Sequence, residues 1–190
     1  PLLGAMLTAE AIFPTGDIVS QLIVDRKVDW KKVRYTASLS PLYGLGTHAL
    51  VQSGELVGEH VSENPLVKSA LGPNLWGNLY NTFFFVNNTV GERTGYSLKE
   101  LVKNYTDIFK SKGELKQNIK EKFFDNIPGK EYRNAVISTL TAWNAFMYYN
   151  YSHVSDELRT PAVLGAGFLW LSFLSLWSLK GRRKIVGSEN

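Results

Sequence analysis

Polar and apolar positions in this chain fall into long blocks rather than short alternating runs. Five stretches are almost free of charge: residues 1–24, interrupted by Glu10 and Asp17; 35–54, with only His48; 69–91; 134–155, with only His153; and 161–179. Each approaches or exceeds the roughly 17–25 residues that a helix needs to cross a hydrocarbon core. The last, PAVLGAGFLWLSFLSLWSL, is the most apolar. The second and third are rich in Gly, Asn, Ser and Thr, the residue types that let helices pack closely inside a bilayer. These blocks predict an all-α fold, a polytopic membrane protein with four to five short transmembrane helices.

Between the third and fourth blocks the period changes. Leu98, Leu101, Val102, Tyr105, Ile108 and Phe109 recur at helical spacing, with Lys99, Lys103 and Lys110 between them. Such a stripe predicts an amphipathic helix lying on a membrane surface or on a partner. Gly113 is placed to end it, and Leu115, Ile119, Phe123 and Phe124 to begin a second short helix before a Pro128–Gly129 turn. The chain reads as one transmembrane domain, 1–190, with 92–133 as a basic amphipathic extramembrane segment. Leu101, Tyr105 and Ile108 are the candidate partner-docking residues, toward another membrane-protein subunit.

Charge sharpens the picture. Arg26, Lys27, Lys31, Lys32 and Arg34 precede the second block. Arg93, Lys99, Lys103, Lys110, Lys112, Lys116, Lys120, Lys122, Lys130 and Arg133 lie between the third and fourth. Lys180, Arg182, Arg183 and Lys184 follow the fifth. If every block crosses, these regions share one side and hold 19 of the 21 basic residues; the other side has only Lys68 and Arg159, among Glu55, Glu59, Glu63, Asp156 and Glu157. That asymmetry is the positive-inside pattern of a helical membrane protein. The last cluster reads as a stop signal and a headgroup anchor, with an anionic lipid such as cardiolipin as the sharper reading. Trp30, Trp143, Trp170, Trp177, Tyr148, Tyr149 and Tyr151 lie near block ends or in the more apolar blocks, where interfacial belts put aromatics; for Trp143 and Trp170 simple packing is the favoured reading.

Composition removes most chemistry. A mean hydropathy of -0.12 looks soluble only because it averages the blocks. Cysteine is absent and the three histidines are far apart, so there is no thiolate site and no metal-ligand spacing. No phosphate loop, nucleophile elbow or HExxH is present. The expectation is no enzyme, no metal and no cofactor. The net charge of +4 comes with no nucleic-acid motif, so no nucleic-acid partner is expected.

The candidates left are buried polar groups. Glu10 and Asp17 are seven residues apart, on one face of the first helix; they read either as a pore or proton-linked site, or as structural acids, with Asp17 ordering a kink near Pro14 and Gly16 or pairing with Arg34 or Arg159. Arg159 is expected to pair with Asp17 or Asp156 and to hold the last helical hairpin together. His48 and His153 read as a pH-sensitive pair facing the bundle interior, or as singly hydrogen-bonded side chains. Asn74, Asn78, Asn81, Asn87 and Asn88 either bond between helices or line a wet path.

The C-terminal part also carries a motif. Trp143 is followed by Asn150–Tyr151, Val154 and Arg159, and then by Trp170-Leu171-Ser172-Phe173-Leu174-Ser175. This resembles the signature of the Mpv-seventeen / twenty-two-kDa peroxisomal membrane protein family. Gly16-Asp17 with Ser20-Gln21 resembles that family's first helix, Asp29-Trp30 and Arg34 the loop after it, and Gly44 with His48 a stretch of the second helix. Asn144, Met147 and Ser155 stand where the pattern has Pro, Gln and Pro, and Leu45 where it has a further Pro. The resemblance implies a small helical protein of the mitochondrial inner membrane or, alternatively, of the peroxisomal membrane. It also implies a small non-selective channel activity. The altered motif, the long amphipathic segment and the missing catalytic constellation favour a structural or accessory subunit of a larger assembly, with the channel as the alternative.

Overall fold

A computed structural model describes residues 2–110, 115–122, 125 and 129–187; the side chains of Phe109, Leu115, Lys122, Leu171 and residues 174–187 are not described. The chain runs through α1 (Leu2–Asp25), α2 (Trp30–His60), α3 (Pro65–Arg93), α4 (Leu98–Lys110), α5 (Leu115–Lys122), α6 (Gly129–Ser138), a π-helical turn (Thr139–Trp143), α7 (Asn144–His153) and α8 (Asp156–Gly187). Among the described residues there is no strand. The Pro128–Gly129 turn, Gly113 and the Phe123–Phe124 pair fall partly or wholly outside the described residues.

Local signals set the helix ends. Asp29 caps α2, its Oδ1 accepting from the backbone N of Lys31 at 2.9 Å and of Lys32 at 3.4 Å. Asn64 caps α3 by accepting from Leu66 N at 2.9 Å, and Pro65 fills the first helical position, where its missing N–H costs nothing. After Arg93 the chain reverses through Gly95 and Tyr96, both at positive φ, and Tyr96 N donates to Gly91 O at 2.6 Å. That turn lays α4 back along α3.

Long helices then stack around one another: α1 lies between α2 and α8, α2 between α1 and α3, and α7 against α3 and α8. Backbones approach closely where side chains vanish. A Cβ on Gly44 would sit 2.6 Å from Ala5 O, and one on Gly72 would sit 2.6 Å from Ser53 O and Gly54 N. Phe13, Tyr43, Phe84 and Phe85 fill the core between these contacts, with Phe13 and Tyr43 stacked at 4.9 Å.

Beside its apolar core the bundle buries many polar groups, and it exposes many large apolar ones. Ser20, Gln21, Ser40, Ser69, Asn81, Thr139, Asn150, Asp17, Lys32 and Lys68 are buried, while Leu3, Leu7, Leu42, Leu45, Leu75, Leu79, Phe83, Leu140, Leu169 and Phe173 are exposed. Many hydroxyls and amides bond back to their own helix: Ser40 to Thr36 O, Thr47 to Tyr43 O, Asn74 to Ala70 O, Ser172 to Phe168 O. Groups satisfied in this way need no water. Among the described residues only α1 is long and apolar enough, by length and composition, to cross a membrane; α2 and α3 dilute their apolar surface with the Gly, Asn, Ser and Thr they carry.

Candidate functional site: the buried polar axis

Charge is buried at both ends of the bundle. At one end, Asp17 on α1 meets Lys32 on α2 at 2.9 Å, and both side chains are only 4% exposed. Gln21, one turn along α1, donates to Asp17 Oδ2 at 3.2 Å and accepts from Asp29 N at 2.6 Å; Thr36 also donates to Asp17 Oδ2, at 3.3 Å. The short α1–α2 turn is thus tied to a buried ion pair through one amide. Removing two charges from water is costly, and the ion pair together with the Gln21 and Thr36 bonds to Asp17 Oδ2 offsets part of that cost.

At the other end Glu55 of α2 joins two cations from different helices. Lys68 of α3 bonds it at 3.0 Å and reaches Glu63 at 3.2 Å. Burial depresses the Lys68 ammonium, but its bonds to Glu55 and Glu63 outweigh that and hold it above its usual value. Arg159 of α8 bonds Glu55 and, at 2.8 Å, Asp156. Its guanidinium lies 5.5 Å from the Tyr151 ring centroid, and Tyr151 donates to Val51 O at 2.9 Å. Four helices meet here.

Between these ends lie amide layers. Asn81 donates to Thr139 at 2.8 Å and accepts from Trp170 Nε1 at 3.4 Å. Asn87 donates to the Tyr43 hydroxyl at 3.1 Å and accepts from that of Tyr105 at 2.6 Å, while Tyr35 donates to its backbone carbonyl at 2.7 Å. The π-helical turn widens the rod beside Asn81, where Thr139 also bonds Ala135 O at 2.9 Å. A cavity of ≈ 30 Å³ lies among Phe13, Thr47, Asn81, Thr139 and Trp170, room for one or two waters. A second, of ≈ 10 Å³, lies between Asp17 and Tyr43 and also touches Phe13.

The expected site residues divide accordingly. Asp17, Ser20, Gln21, Gly44, Asn150 and Tyr151 are buried, and Gly16 faces Phe168 and Ser172 of α8, where a Cβ would make ordinary contact. Asn150 reaches Arg159 O at 3.5 Å, and Trp143 and Trp170 pack together at 5.8 Å. Trp30 and Arg34 are exposed at the start of α2.

Several expectations are corrected. Asp17 pairs with Lys32, not with Arg34 or Arg159; three cation-bearing positions at the start of α2 compete, and the helix turns only Lys32 inward. Glu10 is exposed and does not join Asp17. The buried stripe of α1 runs through Ala5, Ala9, Phe13, Asp17 and Gln21, steps of four that drift by about 40° each, so at its start it misses Glu10. His153 is exposed and stacks on Tyr149 at 4.7 Å; the paired-histidine site is absent, and His48 is half-buried without it. The docking residues are occupied by the chain itself: Leu101 is 4% and Ile108 6% exposed, and Tyr105 bonds Asn87. A stripe long enough to serve a partner has instead folded back on α3. The side chains of Lys180, Arg182, Arg183 and Lys184 lie outside the described residues; the backbone there continues α8.

Spacing alone did not single out Lys32, Glu55 or Lys68 as partners, because each lies within a charged cluster whose members look alike until the helices are packed. Together the fold and site define an all-helical bundle that buries polar and charged groups beside an aromatic core and exposes many apolar side chains. Compared with protein-family models, with curated proteins and with solved structures, the chain finds no match.

Proposed function

We propose that this chain is an integral organelle-membrane protein that crosses the bilayer with α1, α2, α3, the α6–α7 rod and α8, and that it serves as a structural or accessory subunit of a larger membrane assembly. The carrying observation is polar burial combined with apolar exposure: Asp17, Lys32, Asn81 and Thr139 are buried while Leu42, Leu75, Leu79 and Phe83 are exposed. A water-soluble bundle would lose hydrophobic free energy on both counts. The 19-to-2 division of basic residues supports the same reading from a different property.

A narrow axis supports the subunit role. With ≈ 30 Å³ of free space at its centre, the bundle acts through its outer surface, and the role is non-enzymatic. Resemblance to the Mpv-seventeen / twenty-two-kDa peroxisomal membrane protein family supports the mitochondrial inner membrane, with the peroxisomal membrane as the alternative. An anionic lipid such as cardiolipin is proposed at Lys180, Arg182, Arg183 and Lys184. One observation favours the channel reading: the two small cavities share Phe13 and lie along the axis between the buried ion pairs, an arrangement that a closed permeation path would have.

Purification in mild detergent separates the two. The subunit reading expects stoichiometric partners that stay bound through size exclusion. A monodisperse single protein that conducts ions in planar bilayers would replace it with the channel.

A further inference from the structure

Beside α4 the outer surface is not evenly convex. A groove of ≈ 660 Å³ runs between α2 and α3 and ends against α4. Leu42, Leu45 and Ala49 form one wall and Trp76, Leu79 and Phe83 the other; Leu98, Val102 and Tyr105 of α4 close its end. It extends from Leu39 to Ala49 along α2 and from Asn87 to Trp76 along α3, about 15 Å in each case at 1.5 Å per residue. One leaflet of hydrocarbon is half of roughly 30 Å, which is the same depth.

The helix that closes the groove carries exposed lysines. Lys99 and Lys103 follow the groove-lining Leu98 and Val102 by one residue each, are one turn apart and are exposed, with the half-buried Glu100 between them. Lys110 continues that stripe but is bonded to Asp107 at 2.8 Å. An apolar slot one leaflet deep, with two ammonium groups where it meets the basic side of the bundle, matches one kind of occupant.

We propose that the α2–α3–α4 groove binds an acyl chain of a phospholipid whose anionic headgroup is held by Lys99 and Lys103. The site is separate from the C-terminal basic cluster, and it rests on the reading that α2 and α3 cross a bilayer. Folding α4 back onto α3 through the Tyr105–Asn87 bond then has a use: it holds the two lysines at headgroup height, above the slot that takes the chain. A transmembrane helix of a partner would need the same apolar walls but would gain nothing from the two lysines.

The test uses the full chain in mild detergent, with dioleoyl phosphatidylglycerol and dioleoyl phosphatidylcholine added at equal concentration and read by native mass spectrometry. Wild type is expected to keep phosphatidylglycerol in preference. Lys99→Gln with Lys103→Gln should reduce that preference roughly ten- to thirtyfold without abolishing lipid binding. Leu45→Trp with Ala49→Phe, which fills the slot, should remove the bound lipid. Phosphatidylglycerol brominated on its acyl chain should quench wild-type tryptophan fluorescence, and Trp76→Phe should lose most of that quenching; this arm stands even where the filled variant fails to fold. Equal retention of the two lipids, quenching that survives Trp76→Phe, or a filled, folded variant that still carries lipid would overturn the proposal. So would a homodimer that filling the slot dissociates, since a second copy would then be the occupant. A chain that stays soluble without detergent contradicts the membrane reading itself, whereas one that needs detergent yet takes no lipid here contradicts only the groove.

Discussion

At the residue scale the Asp17–Lys32 pair is the most exposed to test, because neither charge reaches water. Asp17→Ala leaves a buried ammonium with no counter-charge, and the expected loss is about 3–5 kcal/mol in a detergent denaturation curve. Replacing both, Asp17→Leu with Lys32→Met, removes the stranded charge and should recover most of that loss. Were the double variant as unstable as the single one, the pair would be positioning the α1–α2 turn through Gln21 rather than offsetting charge. The cluster at the other end behaves differently because it is shared. Glu55 meets both Lys68 and Arg159, so Glu55→Gln should lower the melting temperature by more than Asp156→Asn, whose carboxylate is largely solvated. Equal effects would mean that Arg159 draws as much from Asp156 as from Glu55.

At the element scale, close approach and the docking of α4 make distinct predictions. A side chain at Gly72 would meet the backbone of α2, which cannot yield locally, so Gly72→Val should cost about 1–3 kcal/mol or more. Nothing lies within 4 Å of a Cβ at Gly165, and Gly165→Ala should be neutral or stabilising by about 0.5–1 kcal/mol. Equal effects in thermal melts would mean that α2 and α3 are not in contact there. For α4 the critical bond is Tyr105 to Asn87. Burial raises the Tyr105 phenol above its usual value near 10, so the folded state favours the protonated form. Docking is therefore fully supported below about pH 10 and weakens as pH rises beyond it. Hydrogen exchange in α4 should accelerate above that pH in wild type. Tyr105→Phe should exchange faster at neutral pH and lose the alkaline step; an unchanged step would assign it to another group.

At the scale of the whole molecule, the all-helical order was legible because the long helices centre on charge-poor blocks; their extents were not, since α2 and α8 run well past blocks 35–54 and 161–179 and a π-helical turn divides block 134–155. The stripe Leu98–Ile108 gave α4, and Leu115 with Ile119 gave α5. What the stripe covers was not legible: periodicity shows that a face is apolar, not whether lipid, a partner or the chain's own α3 lies against it. The same limit hid the ion-pair partners. Lys31, Lys32 and Arg34 are interchangeable as letters, and only the rotation of α2 against α1 selects Lys32. Charge sorting by alternate loops, in contrast, is a property of the whole chain and needs no packing to be read. It also gives the most direct test. The chain has no cysteine, so single-cysteine variants at Lys27, His60, Lys99 and Glu157, all exposed, can be labelled in sealed vesicles with a thiol reagent that does not cross lipid. Five crossings place Lys27 and Lys99 on one side and His60 and Glu157 on the other; labelling of all four from the same side would contradict the membrane-spanning bundle.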